Sequence, residues 1–457
     1  MTLGIEVVET SSLGDRTYLV HDGEAAAVID PQRDIDRVLA VAGRLGVRIT
    51  HVAETHLHND YVSGGLALAR VTGASYLVAA AEQVSFARTP IADGDRIPLT
   101  DSVSLTAVAT PGHTYHHLSY VVSEGDRPAG VCTGGSLLFG TTGRTDLLGP
   151  EHTHPLAHEQ HASARRLAEL LPDGAAVWPT HGFGSFCSAT PPDADVSTIG
   201  REKRANPVLR LQSADFVSLL LAGLGAYPAY YAHMGARNAA GADLIDLTRP
   251  ARADAGSLRE RIEAGEWVVD LRSRKAFAYR HLIGTLSFGI DGSLATWLGW
   301  TLPPGMPLTL LGESPQQIAT AQRELARIGI DRPAAAATGT PEDWATTPTD
   351  LTESRTATFA DLASERSASE RSASAFIIDV RAENEWRAGH IEGALHIPLP
   401  EIESRVPGLP EGVIWVHCAA GYRAAAAASL LSRAGRQAIP IDDDWPNAAA
   451  AGLPIVT

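Results

Sequence analysis

The second half of the chain carries one sequence pattern twice. Each copy begins with an apolar run that ends in Asp-x-Arg, and a His-x-x-Gly-x-Leu segment follows 11 residues after the aspartate, from Asp270 to His281 and from Asp379 to His390. Matched spacing at a period of about one hundred residues indicates two tandem domains of the same fold. Apolar strand patterns alternate with helical patterns in each copy, which predicts a small parallel sheet covered by helices.

Length and charge limit what the whole chain can be. Its 457 residues are too many for one hydrophobic core and indicate about three domains. The formal net charge of -16 argues against a nucleic-acid partner. Residues 1–15 lack a secretory signal, no uninterrupted apolar stretch predicts a membrane span, and the three scattered cysteines do not form a disulfide framework. We therefore expect a cytoplasmic protein.

One of these cysteines, Cys418, follows an apolar strand pattern and precedes an alanine-rich helix predicted to begin near Ala424. Backbone N–H groups of such a strand-to-helix loop converge on one point, and the start of the helix adds partial positive charge. A thiol in this position ionises readily. The loop therefore predicts a nucleophilic thiolate, and the alternative is a buried structural cysteine at the end of a strand.

This loop resembles the active-site loop of rhodanese sulfurtransferases. The residues between Cys418 and the closing Arg423 are Ala419, Ala420, Gly421 and Tyr422. The resemblance implies that Cys418 carries sulfane sulfur as a persulfide, held by the loop amides and Arg423, with Asp379 and Arg381 bracing the loop. A cysteine-dependent phosphatase uses a similar cradle, but its loop is longer because a tetrahedral phosphate needs a wider ring than one sulfur atom. Sulfur chemistry is therefore favoured.

The first copy of the repeat also resembles rhodanese but lacks the nucleophile. Its strand pattern at 308–311 leads into Gly312-Glu313-Ser314-Pro315, where the second copy has His417-Cys418-Ala419-Ala420, and no cysteine lies between Cys187 and Cys418. This copy therefore cannot carry a persulfide. We expect it to act as a spacer or a docking surface.

Histidines are concentrated in the first half, where 12 of the 17 lie at or before His181. His56 and His58 follow an apolar strand pattern, and two imidazoles one residue apart project the same way from an extended segment. Both can reach a single cation, and Asp60 can follow. A merely structural or surface role is the better interpretation for six other histidines of this region, which are His116, His117, His152, His154, His158 and His161.

The segment 55–61 resembles the T-H-x-H-x-D-H signature of the metallo-β-lactamase superfamily. Asp30, the Thr-Pro-Gly-His segment that ends at His113 and the Pro-Thr-His-Gly segment that contains His181 agree with it in order. The resemblance implies an α/β chain with a metallo-β-lactamase αββα sandwich over residues 1–245. An inactive rhodanese-like domain over 246–350 and an active rhodanese domain over 351–457, both with parallel sheets, would follow it.

Within that superfamily, Gly143-Arg144-Thr145-Asp146 and the fusion to rhodanese domains are most similar to persulfide dioxygenases. The resemblance implies one ferrous ion, with zinc as the alternative metal, and molecular oxygen as a substrate. The other substrate would be a low-molecular-weight thiol persulfide, which is converted to sulfite and the free thiol. Thiosulfate and sulfite would be the partners of the rhodanese half, and a homo-oligomer is left open.

Two positions depart from the superfamily pattern. Tyr61 stands in place of the last histidine, and Gly135 stands in place of an aspartate. A two-metal hydrolase site is therefore disfavoured. The candidate iron ligands are His56, His58 and His113, with Asp60, His181 or Asp146 as further candidates. The rival functions are a thioester hydrolase whose metal activates water, and a sulfurtransferase on an inert scaffold.

Overall fold

The computed structural model describes residues 3–190, 195–368 and 376–457. The chain folds into two compact units, one formed by Met1–Ile245 with Ala326–Gly329 and the other by Asp246–Leu325 with Ile330–Thr457. The division of the second unit near residue 350 stays a prediction. Among the helices of the described residues, none is both long and apolar enough to cross a bilayer.

The first unit contains two six-stranded sheets in its described residues. The first sheet is antiparallel among its first three strands and parallel among the others. In order, its strands are Gly4–Thr10, Asp15–His21, Ala25–Ile29, Arg48–Ala53, Ser75–Ala79 and Thr89–Ile91. The second sheet is antiparallel except where its fourth and fifth strands pair in parallel. Its strands are Arg96–Pro98, Val103–Ala109, Leu118–Glu124, Arg127–Gly134, Ala176–Pro179 and Ser197–Thr198.

Side chains alternate between the two faces of each sheet and so build four layers. Tyr18 and Val20 join Tyr120 in the core between the sheets, whereas Leu19 and Val121 face the helices outside. The helices on the first sheet are Asp36–Leu45 and Gly65–Thr72. The helices on the second sheet are Pro150–Leu170, Ile199–Ala205, Pro207–Arg210 and Ser213–Gly223. The last helix of the first unit is Tyr231–Ala240. The result is an αββα sandwich.

The second unit contains two four-stranded parallel sheets with the same strand order. The strands of the first are, in spatial order, Leu286–Ser287, Trp267–Asp270, Leu308–Gly312 and Ala335–Thr338. Those of the second are Leu395–His396, Phe376–Asp379, Ile414–His417 and Ala438–Pro440. Each copy adds a short antiparallel pair, His281–Leu282 with Leu351–Thr352 and His390–Ile391 with Ile455–Val456.

Helices cover both sheets, and the two copies share one apolar core that includes Trp267, Leu310, Val416 and Leu430. The helices of the first copy are Ala255–Glu263, Arg274–Tyr279, Leu294–Thr301, Pro315–Arg327 and Pro341–Trp344. Those of the second are Phe359–Ala368, Glu383–Ala388, Ile402–Arg405, Tyr422–Arg433 and Pro446–Ala450. Single 3-10 turns are Pro348–Asp350, Leu399–Glu401 and Val406–Gly408.

Candidate metal centre and cysteine loop

The loops that follow three strands of the first unit, Arg48–Ala53, Val103–Ala109 and Ala176–Pro179, bring the predicted ligands together. The residues that meet there are His56, His58, Asp60, His113 and His181, and all five are buried. They form two overlapping groups that share His181. The ligand atoms of His56, His113 and His181 lie within 4.8 Å of one another, and so do those of His58, Asp60 and His181.

Each ring of the first group is held through its Nδ1 atom. His113 Nδ1 donates to the carbonyl of Arg144 over 2.7 Å, and His56 Nδ1 lies 2.9 Å from the hydroxyl of Thr55. His181 Nδ1 lies 3.0 Å from Asp15 and 3.1 Å from Asp60. Such partners orient a metal-ligating histidine and leave its Nε2 for the ion.

His58 is held by the opposite nitrogen. Its Nε2 lies 3.2 Å from a carboxylate oxygen of Asp30 and 3.4 Å from one of Glu54, and its Nδ1 lies 4.0 Å from Asp60. Burial opposes the charged ring, but the carboxylates of Asp30 and Glu54 raise the pKa of His58 to about 9. Because its Nε2 atom lies beside Asp30 and Glu54, the Nδ1 atom of His58 faces Asp60, in the second group of ligand atoms.

The donor set fits a cation. Within the described part of the chain, His58 Nδ1, Asp60 Oδ1 and His113 Nε2 are buried without a hydrogen-bond partner. Unpaired buried polar atoms cost free energy, and a bound cation satisfies them once it has displaced the proton of the His58 ring. Burial lowers the pKa of His113 to about 3, so this ring is neutral near pH 7, which is the form that binds metal. Imidazole and carboxylate donors suit iron and zinc alike.

Gly135, which stands where the superfamily has an aspartate, lies against the ring of His113. A Cβ atom at Gly135 would lie 2.3 Å from His113 Cδ2, and one at Gly143 would lie 2.7 Å from His113 Nδ1. Real Cβ atoms do not approach so closely. The two glycines therefore form a slot that the His113 ring fills.

The remaining candidates take other positions. Tyr61 stacks on His58 with 4.3 Å between the ring centroids, and its hydroxyl donates to the carbonyl of Asp30 over 3.3 Å. The carboxylate of Asp146 is paired with the Arg144 guanidinium at 2.7 Å, outside both groups of ligand atoms. His117 is buried beside the cluster, but its Nε2 accepts the N–H of Gly135 over 3.1 Å.

In the second unit, Cys418 lies between strand Ile414–His417 and helix Tyr422–Arg433 and is buried. Gly421 has a φ of 86°, which favours glycine, where the loop turns into the helix. The terminal nitrogens of Arg423 donate to both carboxylate oxygens of Glu385 over 2.6 and 2.8 Å.

Asp379 and Arg381 form a buried bidentate pair beneath this loop. The guanidinium of Arg381 donates to Asp379 over 2.6 Å and lies 3.7 Å from the ring centroid of Trp445. The backbone N–H of Trp445 in turn donates to the carbonyl of Ala419 over 2.8 Å. The pair thus contacts the loop through one aromatic residue.

Sequence reasoning missed Glu385, although a comparison of the two copies contains a sign of it. Asp270 and Asp379 correspond, so the residue equivalent to Glu385 in the cysteine-less copy is Ala276. A carboxylate present only in the copy with the cysteine is a candidate partner for the loop arginine.

Strand pairing corrects the alignment of the two loops by one residue. Asp270 pairs with Leu311 and Asp379 pairs with His417, so Gly312 occupies the place of Cys418, and Gln317 that of Arg423. The Gln317 side chain accepts the N–H of Glu313 over 2.7 Å and donates to the carbonyl of Leu271 over 3.0 Å. An amide side chain therefore occupies the loop of the cysteine-less copy.

We predict that Gly312→Cys in a Cys418→Ala background will not restore sulfur transfer. The new Cβ would lie 2.9 Å from the Gln317 amide oxygen, and this loop lacks the arginine. Transfer from thiosulfate to cyanide measures the outcome. Recovery of more than a few per cent of the wild-type rate would show that the loop opens despite Gln317. Gly408→Cys, at an exposed position with nothing within 4 Å and no positive φ, is the control for an added thiol.

Comparisons with known proteins agree with this architecture. The family described as Rhodanese-like domain matches residues 359–450. The mitochondrial persulfide dioxygenase of Homo sapiens is 28% identical over 208 residues, which are 45% of this chain and 75% of that protein. A hydroxyacylglutathione hydrolase of Polaromonas sp. is 29% identical over 222 residues, which are 43% of this chain and 81% of that protein.

A solved structure extends the likeness beyond the first unit. The crystal structure of a metallo-β-lactamase from Staphylococcus aureus subsp. aureus COL is 27% identical, with a TM-score of 0.66, and the match covers 74% of this chain and 100% of that one. The predicted fold class and both resemblances are confirmed.

Proposed function

We infer that this chain, which joins a metallo-β-lactamase-fold region homologous to persulfide dioxygenases to a C-terminal rhodanese-like domain, oxidises a thiol persulfide and transfers sulfane sulfur. The observation that carries the oxidative half is the buried cluster of ligand atoms with three unpaired members, from His58, Asp60 and His113. The transfer half rests on Cys418 in its strand-to-helix loop. We also propose a cytoplasmic location, because the three cysteines are unpaired thiols.

The residues proposed to hold one ferrous ion are His56, His58, Asp60, His113 and His181. Bound there, iron would supply the redox chemistry that lets oxygen react with a persulfide. The net reaction is R–S–SH + O₂ + H₂O → R–SH + SO₃²⁻ + 2H⁺, in which the S–S bond breaks, the outer sulfur is oxidised and oxygen is reduced. Burial keeps bulk water from the site, and Asp15 and Asp60 fix the ring of His181.

In the transfer half, the thiolate of Cys418 attacks the outer sulfur of thiosulfate. A new S–S bond forms on Cys418, the S–S bond of thiosulfate breaks, and sulfite leaves with the electron pair. A second thiolate then takes the outer sulfur and regenerates the Cys418 thiolate. Arg423 holds the negative charge of these species, while Glu385 fixes the guanidinium.

The proposal predicts that Cys418→Ala separates the two activities. Transfer of sulfur from thiosulfate should fall by on the order of 10³-fold or more, because no nucleophile remains. Oxygen uptake with glutathione persulfide should stay within about twofold of the wild type, since the metal cluster is intact. Oxygen electrode and cyanide assays on the same preparation measure both. If the purified wild-type protein contains zinc and consumes no oxygen with glutathione persulfide, the dioxygenase proposal is wrong.

A thioester hydrolase is the second candidate, because hydroxyacylglutathione hydrolases are among the relatives. Such enzymes in this superfamily use two metals, and the bridging aspartate position is Gly135 here. Hydrolysis of S-lactoylglutathione in the zinc-loaded protein, without persulfide-dependent oxygen uptake, would favour this candidate instead.

A further inference from the structure

Residues 287–297 of the cysteine-less copy contact the catalytic loop and the helix that follows it, in addition to Arg274, which binds Asp442 near Gly421. The hydroxyl of Tyr422 donates to the carbonyl of Gly289 over 3.0 Å, and the N–H of Ser287 donates to the hydroxyl of Ser429 over 3.0 Å. A Cβ atom at Gly292 would lie 2.3 Å from the ring of Tyr422. The loop and the helix that follows it therefore pack tightly against the neighbouring copy.

Trp297 belongs to the same segment, on helix Leu294–Thr301, and is half-buried. The guanidinium carbon of Arg423 lies 5.1 Å from the centroid of its ring. This distance is within the range of a cation–π contact. Trp300 stacks on the same ring, with 5.5 Å between centroids and 5° between the planes, and so supports its orientation.

Arg423 is thus held from two directions. The carboxylate of Glu385 accepts hydrogen bonds from the two terminal nitrogens of Arg423. The ring of Trp297, on another helix, contacts the same guanidinium. Burial opposes the charge, but the hydrogen bonds and charge of Glu385, together with the nearby Cys418 thiolate, raise the pKa of Arg423. The cation is therefore permanent, and its position decides how well it stabilises an anion in the loop.

We propose that Trp297 is a positioning residue for sulfur transfer, which holds the guanidinium of Arg423 beside the Cys418 loop so that anionic sulfur donors are favoured. The inference rests on the proposed transfer function of Cys418. It gives the cysteine-less copy a defined part in the chemistry, beyond that of a spacer.

Kinetics of the full-length protein with thiosulfate as donor test the proposal. Trp297→Ala is expected to raise KM for thiosulfate by roughly 2- to 30-fold, the range of a cation–π contact, with a smaller effect on kcat. Trp297→Phe, which keeps an aromatic face, should recover most of the loss. Tyr279→Ala removes a 79% exposed ring from the same copy and is the matched control.

Alkylation of Cys418 gives a readout that needs no turnover. The rate ratio of anionic iodoacetate to neutral iodoacetamide, followed by mass spectrometry of the Cys418 peptide, should fall in Trp297→Ala by a factor similar to the rise in KM. An unchanged ratio and KM in a folded Trp297→Ala protein, or an equal change in Tyr279→Ala, would overturn the inference. If the wild type transfers no sulfur but the ratio still falls, the proposed transfer function fails while the positioning role stands.

Discussion

Gly135→Asp is expected to weaken metal binding by roughly 10- to 100-fold, although it restores the aspartate found in the superfamily. The reason is steric, because the new Cβ would lie 2.3 Å from His113 Cδ2 and 2.6 Å from Cγ. The ring must leave its slot between Gly135 and Gly143, and His113 then loses its bond to the Arg144 carbonyl. Titration of the metal-free protein with Fe²⁺ or Co²⁺ under argon measures the affinity.

Two further variants sharpen this test. Gly143→Ala places a methyl group 2.7 Å from His113 Nδ1 and 2.4 Å from the Gly135 carbonyl oxygen, and it should weaken binding in the same way. Gly174→Asp adds the same carboxylate where nothing lies within 4 Å, so metal affinity should not change. Tighter binding in Gly135→Asp than in the wild type would mean that the new carboxylate serves as a ligand and that the slot does not constrain His113.

Asp379→Asn should destabilise the second unit by about 3 kcal/mol, since it leaves the buried Arg381 guanidinium without its carboxylate. Sulfur transfer should also decrease, because Arg381 contacts Trp445, which holds the Ala419 carbonyl of the cysteine loop. Urea unfolding followed by tryptophan fluorescence gives the free energy of unfolding. Thiosulfate turnover well below the unfolding midpoint gives the activity.

The repeat supplies a matched control inside the same molecule. Asp270 and Arg272 form the equivalent buried pair at 2.6 Å in the cysteine-less copy. Asp270→Asn should therefore cost a similar free energy of unfolding while sulfur transfer per folded molecule stays close to the wild type. Equal losses of activity in the two variants would show that Asp379 acts on the loop only through general stability.

Local sequence patterns were sufficient for the fold class. The equal spacing from Asp270 to His281 and from Asp379 to His390 reflects one strand-helix-strand unit used twice, and the structure contains two sheets of identical strand order. The ordered histidine segments pointed to the αββα sandwich only through their resemblance to the metallo-β-lactamase superfamily, and that fold is confirmed. Such patterns are readable because strand and helix periodicities depend on neighbouring residues.

The candidate site was only partly predictable. The sequence names His56, His58, Asp60, His113 and His181 as candidates, but not that His181 is shared by two groups. Their assignment as ligands stays a proposal. Likewise, the sequence indicates that a metal ligand is missing at Gly135, whereas in the structure the absence of a side chain there makes room for the His113 ring.

The chain's sequence alone determined its sheets, its repeat and the position of the one cysteine in a strand-to-helix loop, because these follow from periodicity and from loop chemistry between adjacent elements. Only the tertiary structure decided which side chains meet: Glu385 and Trp297 reach Arg423 from segments 38 and 126 residues away in the chain. Contacts of that kind depend on how separate elements pack, and packing is set by the whole fold.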